Sequence, residues 1–482
     1  MLSEPPGFVS SHALSRRADS TLTEQLAARF AGHIRQRLLA PGARLPSVRE
    51  CARRHHVSPA TVVAAYDRLL AQGLVEARKQ RGFFVRDAMP DPGLGAARTQ
   101  GAARTPLPTS ATALIRGMFQ PPGSHPMPGL GTLPMDWLDL PMLATALRRV
   151  STGAGLAALS LRYGEPAGES RLRRALSAKL TEHGVSAAPE QIVTTIGATQ
   201  ALDVVTRTLL RAGDTVLVDE PGWSVEYARL SALGMRVLPV PRLEDGPDLD
   251  AMRRVIQAQA PHQRPRLYVT VSVLHNPTGA SLSLGTAHRL LKLAQEHDFW
   301  IVEDDTYAHL APAHLPRLAA LDALERTIYV SGFSKILAPN WRVGYLAAPH
   351  ALVDRLVDTK LLTTLTTPGL TEQALAHCLE HGLLRRHSER VMQKLDAARA
   401  RSVKLAQAHG CTFAAPPRGL FGWVDVGVDT ERLAQAMLDD WLLAPGALFH
   451  ATHRPTTLMR INFATTQEAR FWRALERARA NL

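Results

Sequence analysis

The first regular pattern along the chain is an apolar residue at every fourth position of residues 21–42, which predicts one amphipathic helix. The apolar positions are Leu22, Leu26, Phe30, Ile34 and Leu38. Thr21 and Glu24 have the spacing of a capping box at the start of this helix, and Pro41 and Gly42 predict its end.

Two shorter helices and a hairpin are predicted to follow. Ser47 and Glu50 fit a second capping box, Ser58 before Pro59 is typical of a helix start, and Gly73 is typical of a helix end. Only the short stretch HHV separates these two helices, which indicates a helix-turn-helix. The next stretch, LVEARKQRGFFV, alternates into a strand, a basic turn and a second strand, so we predict a wing.

The periodic pattern stops at residues 88–127, which are rich in Ala, Gly, Pro, Thr and Ser and are interpreted as a linker. From about residue 130, short apolar runs such as DTVLVDEPG, PRLYVTVSV and FWIVEDD alternate with helical stretches. This alternation predicts a large α/β domain, in which ligands bind at the carboxyl ends of the strands.

Composition narrows the class of protein. A chain of 482 residues with 45% hydrophobic and 21% charged residues is expected to form two or three globular domains. No apolar run is long enough to span a bilayer, and the first residues do not resemble a signal peptide. Three scattered cysteines give neither a disulfide framework nor a metal site, so we expect a cytoplasmic protein without a metal.

Charge is concentrated at the N-terminus. Residues 1–87 hold 14 Lys and Arg against 7 Asp and Glu, a net +7 of the chain's +13. A solvated basic face is one explanation, and a surface for nucleic acid is the other, because binding of phosphates requires clustered cations.

In a helix-turn-helix, the N-terminal residues of the second helix meet base edges in the major groove. Here that position holds Ser58, Ala60 and Thr61, while the basic turn at residues 78–82 is placed to lie along a minor groove. The candidate DNA-binding residues are Arg44, Ser47, Arg49, Ser58, Ala60, Thr61, Arg78, Lys79, Arg81 and Gly82.

Residues 20–86 closely resemble the winged helix-turn-helix of the GntR family of bacterial regulators. The resemblance rests on the run LAPGARLPSVRECARRHHVSPATVVAAYDRLLAQGLVEARKQRGFFV. It implies binding to double-stranded DNA. The family usually has Arg directly after the Ser or Thr that opens the recognition helix, and here Pro59 takes that place.

A second set of residues points to a covalently bound aldehyde cofactor. Lys335 lies in SGFSKILAPNWRVGY, seven positions before Arg342, which can bind a phosphate with two hydrogen bonds. Pyridoxal phosphate requires an acid near its ring nitrogen, donors around its phosphate and an aromatic ring on its face. Asp304 can supply the acid, and Trp223 the aromatic ring.

Further donors occur in the same order along the chain. Asn276 and Tyr307 can reach a phenolate oxygen, and backbone N–H groups of Ala198 and Thr199, at a strand-to-helix turn, can hold a phosphate. Each motif alone also has a structural explanation, such as a β-turn at Asn276 or a helix cap at Asp304. Their order and separation favour a cofactor site.

Residues from about 130 to 482 look like an aspartate-aminotransferase-like domain of fold type I, which implies pyridoxal 5'-phosphate as cofactor. By this resemblance Lys335 is the catalytic lysine that forms the internal aldimine, Asp304 pairs with the pyridine nitrogen, and Asn276 and Tyr307 bind the phenolate oxygen. The positions that match cofactor- and substrate-binding positions of the family are Ala198, Thr199, Ser334 and Arg342 for the phosphate, Trp223 for stacking, Tyr163 for the neighbouring subunit's cofactor, and Arg460 for a substrate α-carboxylate.

Two departures from the family pattern concern the phosphate. A hydroxyl residue is often found three positions before the lysine, where this chain has Gly332, and Ala198 replaces the first serine of the phosphate loop. Backbone amides, Ser331, Ser334 and Thr199 are expected to compensate.

The fusion of the two resemblances is that of the MocR-type subgroup of GntR-family regulators. It implies an α/β multidomain protein with a winged helix-turn-helix and a fold-type I transferase domain, whose large part holds a mostly parallel sheet. The expected divisions are a tail at 1–19, the DNA-binding domain at 20–87, a linker at 88–127, and a cofactor domain at 128–482 with a small α+β subdomain from about 370.

Three functions remain open from the sequence. The favoured one is a homodimeric transcription regulator, nucleoid-associated when bound to DNA, that responds to pyridoxal phosphate or an amino compound. The second is a working aminotransferase that carries a DNA-binding domain. The presence of Arg460 favours this second function. The third is a degenerate domain that only dimerises.

Overall fold

The computed structural model describes residues 14, 20–35, 38–39, 41–78, 81–86, 127–152, 154–452 and 454–482. Lys79 and nearly all of the expected tail and linker lie outside these residues. The chain divides into an N-terminal unit, residues 1–130 with 434–442, and a C-terminal unit, residues 131–433 with 443–482.

The N-terminal unit contains three helices and a two-stranded antiparallel wing. The elements are α1 (Leu22–Arg35), α2 (Val48–His55), α3 (Pro59–Ala71), β1 (Val75–Arg78) and β2 (Gly82–Val85). At the start of α1 the Thr21 N–H donates to Glu24 Oε2 at 2.9 Å and the Glu24 N–H donates to Thr21 Oγ1 at 3.2 Å. This reciprocal pair is the predicted capping box, and the predicted winged helix-turn-helix is confirmed.

Tyr66 of α3 is the centre of the core of this unit. Its ring is fully buried and meets Phe30 and Phe83 edge to face, with centroid distances of 5.6 and 5.0 Å. Its hydroxyl donates to the Pro46 carbonyl at 2.9 Å. Tyr66 therefore ties α3 to α1, to the wing and to the loop before α2.

Residues 434–442 also belong to the N-terminal unit, which the sequence did not indicate. Leu438 packs against the core around Tyr66, and Arg54 forms an ion pair with Asp439 at 3.2 Å. A local apolar pattern does not reveal such a grouping, because the partners are almost 400 positions apart.

The C-terminal unit is built on an eight-stranded sheet. Its strands are β3 (Ile192–Thr195), β4 (Thr215–Glu220), β5 (Arg236–Leu243), β6 (Gly246–Pro247), β7 (Pro265–Thr270), β8 (Trp300–Asp304), β9 (Thr327–Gly332) and β10 (Gly344–Ala347). The spatial order is β3-β10-β9-β8-β7-β4-β5-β6, in which β10 and β6 pair antiparallel to their neighbours. The strands from β9 through β5 are parallel.

Helices cover this sheet, so its central strands are buried apolar runs instead of alternating ones. The helices of the unit are α4 (Leu140–Val150), α5 (Ala154–Leu161), α6 (Ser170–Thr181), α7 (Ala198–Leu209), α8 (Ser224–Ala232), α9 (Leu249–Gln257), α10 (Leu284–His297), α11 (Leu318–Leu321), α12 (His350–Thr364), α13 (Gly369–Glu380), α14 (Leu383–Ala408), α15 (Thr430–Met437, whose last residues group with the N-terminal unit) and α16 (Ala469–Ala480).

A second, antiparallel sheet lies near the C-terminus, with the order β11-β12-β14-β13. Its strands are β11 (Thr412–Phe413), β12 (Phe421–Asp425), β13 (Ala444–Pro445) and β14 (Leu458–Asn462). A mostly parallel large sheet with a smaller α+β part confirms the predicted fold class. Among the described residues, no helix combines the length and the apolar character needed to cross a bilayer.

Candidate functional site

The predicted cofactor residues follow the ends of neighbouring parallel strands. Asp304 ends β8, Lys335 follows the end of β9, and Asn276 follows β7. Because the carboxyl ends of parallel strands meet at one edge of a sheet, three residues that are distant in the sequence reach one place.

Lys335 is half-buried, and its Nζ donates to the Gly131 carbonyl at 3.0 Å. Burial and the cations Arg460 and Arg342 together lower the pKa of Lys335 to about 8, although the Asp304 carboxylate opposes them. A substantial fraction of this amine is therefore neutral near pH 7–8, which is the form that attacks a carbonyl carbon.

Asp304 is half-buried on the same edge of the sheet. Burial raises the pKa of its carboxyl to about 6, although the N–H and hydroxyl of Thr306 both donate to its Oδ1. A buried carboxylate with a raised pKa gains from an adjacent cation. A protonated pyridine nitrogen is such a cation, so this residue fits its predicted partner.

Arg460, on β14, connects Asn276 with an aromatic cluster. Its Nη1 donates to Asn276 Oδ1 at 2.8 Å, which leaves the Asn276 amide nitrogen as the donor toward other groups. The guanidinium lies 4.4 Å from the Phe421 ring centroid and 5.1 Å from that of Phe449. Burial lowers the pKa of Arg460 to about 10, so it remains a cation at neutral pH.

Tyr307 completes this cluster. Its ring meets Phe421 edge to face at 5.4 Å, and burial raises the pKa of its hydroxyl. The hydroxyl therefore stays protonated at neutral pH and can donate a hydrogen bond, as its predicted role at a phenolate oxygen requires.

Three glycines shape the predicted phosphate end of the site. Gly197 has φ +78°, and a Cβ there would lie 2.6 Å from Arg342 Nη2. A Cβ on Gly344 would lie 2.5 Å from the Gly197 carbonyl carbon, and one on Gly332 would lie 3.3 Å from the Ala198 nitrogen. The departure at Gly332 thus has a physical reason, since a side chain there would crowd the first N–H of α7.

Arg342 is held over this loop by two hydrogen bonds. Nη1 donates to Ser334 Oγ at 3.2 Å, and Nη2 donates to the Ile196 carbonyl at 3.0 Å. Thr199 is exposed and Ala198 is half-buried at the start of α7, where backbone N–H groups have no partner within the helix. Loop, helix start and guanidinium together form a cradle that fits a phosphate.

The expectation that Ser331 compensates for a missing phosphate donor is wrong. Ser331 is fully buried, and its hydroxyl donates to the Asp305 carbonyl at 2.8 Å. The residue therefore joins β9 to the end of β8 instead of facing the phosphate cradle.

Two predicted residues lie at the margin of the site. Trp223 is half-buried against the core of the large sheet, and the N–H of the preceding Gly222 donates to the Phe449 carbonyl at 2.9 Å. Tyr163 is 84% exposed, so it does not join the other predicted residues within this chain.

Sequence reasoning missed the residues that enclose Lys335 and Arg460. Gly131 accepts the hydrogen bond of Lys335, and a Cβ on it would lie 3.3 Å from the Phe421 ring. Asn462 holds the neighbouring residue, because its Nδ2 donates to the Thr132 carbonyl at 2.8 Å. Gly131 and Phe449 carry no local motif, so no signal in the sequence identified them.

The predicted DNA-binding residues form an exposed surface of the N-terminal unit. Arg44, Ser47, Arg49, Ser58, Ala60, Arg78 and Arg81 are exposed, and Thr61 and Gly82 are half-buried. Arg78 is already engaged, since it pairs with Glu76 at 2.8 Å and its guanidinium lies 4.4 Å from the Phe84 ring centroid.

Comparisons with known proteins match both parts of the chain. Residues 133–477 match the family model for class I and II aminotransferases, and residues 22–85 match that for bacterial regulatory proteins of the gntR family. The probable rhizopine catabolism regulatory protein MocR of Rhizobium meliloti is 30% identical over 408 residues, which cover 82% of this chain and 79% of that protein.

Two further proteins are similar to this chain, one over nearly its whole length and one over about three quarters of it. The uncharacterized HTH-type transcriptional regulator YisV of Bacillus subtilis is 26% identical over 94% of both chains. The crystal structure of LysN, an alpha-aminoadipate aminotransferase of Thermus thermophilus complexed with N-(5'-phosphopyridoxyl)-L-leucine, has a TM-score of 0.69 at 27% identity. The match covers 76% of this chain and 94% of the LysN chain.

Proposed function

The chain belongs to the class I and II aminotransferase family and carries a GntR-type DNA-binding domain, and from this premise we propose a regulator that responds to its cofactor. In this proposal a pyridoxal 5'-phosphate bound at Lys335, or an amino compound that reaches it, changes how a homodimer binds DNA in the cytoplasm.

The observation that carries the proposal is the half-buried Lys335, whose amine is within the electrostatic influence of Asp304 and Arg460. A pKa of about 8 leaves Lys335 able to bind a carbonyl carbon covalently near neutral pH. When bound, pyridoxal phosphate supplies an aldehyde and an electron-withdrawing ring. Asp304 would hold a proton at the pyridine nitrogen, Asn276 and Tyr307 would donate to the phenolate oxygen, and Arg342 would bind the phosphate.

A second candidate function, aminotransferase activity, is favoured by Arg460. Its guanidinium is a buried cation close enough to Lys335 to lower the pKa of that amine. This position suits the α-carboxylate of an amino acid, and Lys335 would then move a proton at the α-carbon. A regulator that senses an amino acid would use the same contact.

The homodimer is supported by an exposed apolar patch in the C-terminal unit. Leu161 is 81% exposed and Leu362 is 90% exposed. The Gly164 N–H donates to Thr366 Oγ1 at 3.3 Å, which brings the two segments together. Exposed apolar side chains on adjacent segments suit a protein interface, and Tyr163, in the first of these segments, would reach the cofactor of the other subunit.

The test of the cofactor is the absorption spectrum of the purified protein, compared between wild type and Lys335→Ala. Lys360→Met is a matched control, because Lys360 is buried and its pKa is likewise lowered by burial to about 8, yet it lies outside the proposed site. We expect the absorption of bound cofactor in the wild type and the control, and its loss in Lys335→Ala. Loss in both variants, or in neither, would contradict the assignment of Lys335.

The test of regulation is binding to DNA upstream of the protein's own gene, measured in a gel shift against random DNA. We expect preference for the upstream DNA and a change in affinity when pyridoxal phosphate or an amino acid is added. Equal binding to both DNAs would overturn the regulator. Conversion of amino acids to 2-oxo acids without any effect on DNA binding would favour the enzyme.

A further inference from the structure

The outward face of α3 is apolar, although it faces solvent. Ala60, Val63 and Ala64 are exposed on it, and Val63 is 42% exposed. The spacing of these residues places them side by side, on one side of the helix. The opposite face carries Val62, Ala65, Tyr66 and Leu69, which are buried in the core of the unit. Packing within the described part of the unit therefore accounts for one apolar face and leaves the other unexplained.

The hydroxyl groups near the start of α3 are engaged with each other. Ser58 Oγ accepts from the Thr61 N–H at 3.1 Å and shares a hydrogen bond with Thr61 Oγ1 at 2.8 Å. A base edge that used the Ser58 oxygen as an acceptor would compete with the helix cap. The first two turns of α3 thus present methyl groups more readily than hydrogen-bonding groups.

Exposed cations occur on the segments that precede and follow α3 in the same unit. Arg49 and Arg53 of α2 are exposed, as are Arg44 before α2 and Arg81 in the wing turn. Such side chains bind phosphates and fix the orientation of a helix on the duplex without reading the sequence. They also explain why a face without polar groups can enter the major groove.

In the major groove, the apolar feature of the base edges is the C5-methyl group of thymine. We propose that α3 reads thymine methyl groups through Ala60, Val63 and Ala64, while the arginines outside α3 bind phosphates and orient the helix. This inference rests on the proposed function as a DNA-binding regulator, and it names the residues that select the sequence. Asp67, one turn beyond Ala64 and exposed, would face a phosphate backbone unfavourably and so limits the reading face to the first two turns.

The experiment starts with selection of binding sites from random duplex DNA by the full-length protein loaded with pyridoxal phosphate. Each thymine of the selected site is then replaced singly by deoxyuridine, which removes only the methyl group. At one or two positions in each half-site we expect affinity to fall about fourfold, as burial of one methyl group predicts at about 0.8 kcal/mol.

The variant Val63→Ala identifies the contact. It removes two methyl groups from an exposed helix position, and we expect the effect of deoxyuridine to fall below about twofold at one of these positions. Ala71→Ser is the matched control, since Ala71 is exposed at the far end of α3, and it should keep the full effect. Non-specific binding at low salt, which depends on cations, should be the same in all three proteins and shows that the phosphate contacts are unchanged.

The outcomes separate this inference from the proposed function. A selected site whose affinity does not change with deoxyuridine at any position overturns thymine reading and leaves the regulator intact. A deoxyuridine effect that Val63→Ala leaves unchanged overturns the role of this face. Failure to select any sequence overturns both.

Discussion

The two units of the chain assemble their functional residues in opposite ways. In the N-terminal unit the candidate residues lie within about forty positions and are mostly exposed, because a rigid polyanion is met at the surface. In the C-terminal unit they come from Gly131 to Arg460; Asn276, Tyr307 and Arg460 are buried, and Asp304 and Lys335 are half-buried. Burial matters for the chemistry of this site, because it is the main cause that lowers the pKa of Lys335 to about 8.

The two sites require different properties from the fold. A DNA surface depends on the fold for orientation and on solvent exposure for its cations. A lysine that binds an aldehyde needs removal from water, and only a closed environment supplies that. Damage to the core of the N-terminal unit should therefore affect DNA binding and leave cofactor binding.

The largest effect is expected for Tyr66→Ala. Loss of both DNA binding and cofactor binding in this variant would contradict the separation of the two functions between the units. Loss of this buried ring should lower the free energy of unfolding of the N-terminal unit by about 3–5 kcal/mol. Gel shifts should then show that DNA binding is lost, while the absorption of bound cofactor persists. Tyr66→Phe is the control, because it removes only the hydrogen bond to Pro46, a loss of about 1 kcal/mol.

An intermediate effect is expected of pH, which should change cofactor uptake by the C-terminal unit and leave DNA binding by the N-terminal unit nearly unchanged. The rate at which cofactor-free protein takes up pyridoxal phosphate should rise about tenfold per pH unit below pH 8, since only neutral Lys335 reacts, and level off above it. Stopped-flow absorbance measures this rate. DNA affinity should stay nearly constant from pH 7 to 9, because arginines remain charged.

A rate that kept rising to about pH 10 would indicate an ordinary, solvated lysine at position 335. Such a result would remove the contrast between a buried and an exposed site.

The smallest effect is expected within the wing. Arg81→Ala should lower the slope of log affinity against log salt by about 1, as loss of one phosphate contact predicts. Arg78→Ala should leave the slope nearly unchanged, because Arg78 is held by Glu76 and Phe84. Equal changes in the two slopes would show that this pairing does not withdraw Arg78 from DNA.

Local patterns predicted the N-terminal unit well, because its helices are bounded by caps and its core follows a spacing of four. Thr21 with Glu24, and Ser58 before Pro59, mark helix starts that the structure contains. The contribution of residues 434–442 was not predictable, since no local signal links Leu438 with a core nearly 400 positions away.

In the C-terminal unit, motif order predicted which residues come together but not what holds them. The meeting of Lys335, Asp304 and Arg460 is visible in their mutual effect on the pKa of Lys335. The ring contacts of Phe421 and Phe449 with Arg460 depend on strand pairing and loop paths, which local sequence does not encode. The use of Ser331 inside the sheet likewise depends on its neighbour, the Asp305 carbonyl.

Capping, apolar periodicity and motif spacing are local properties of the sequence. They were therefore enough to predict the main helices and strands, the fold class and the kinds of chemical group available. Which of these groups are buried, paired or exposed depends on the tertiary structure. It placed Lys335 in a site that lowers its pKa, engaged Arg78 and Ser331 with neighbours, and left Val63 facing solvent. The physical reason is that burial and hydrogen bonding depend on contacts between distant segments, which exist only after folding.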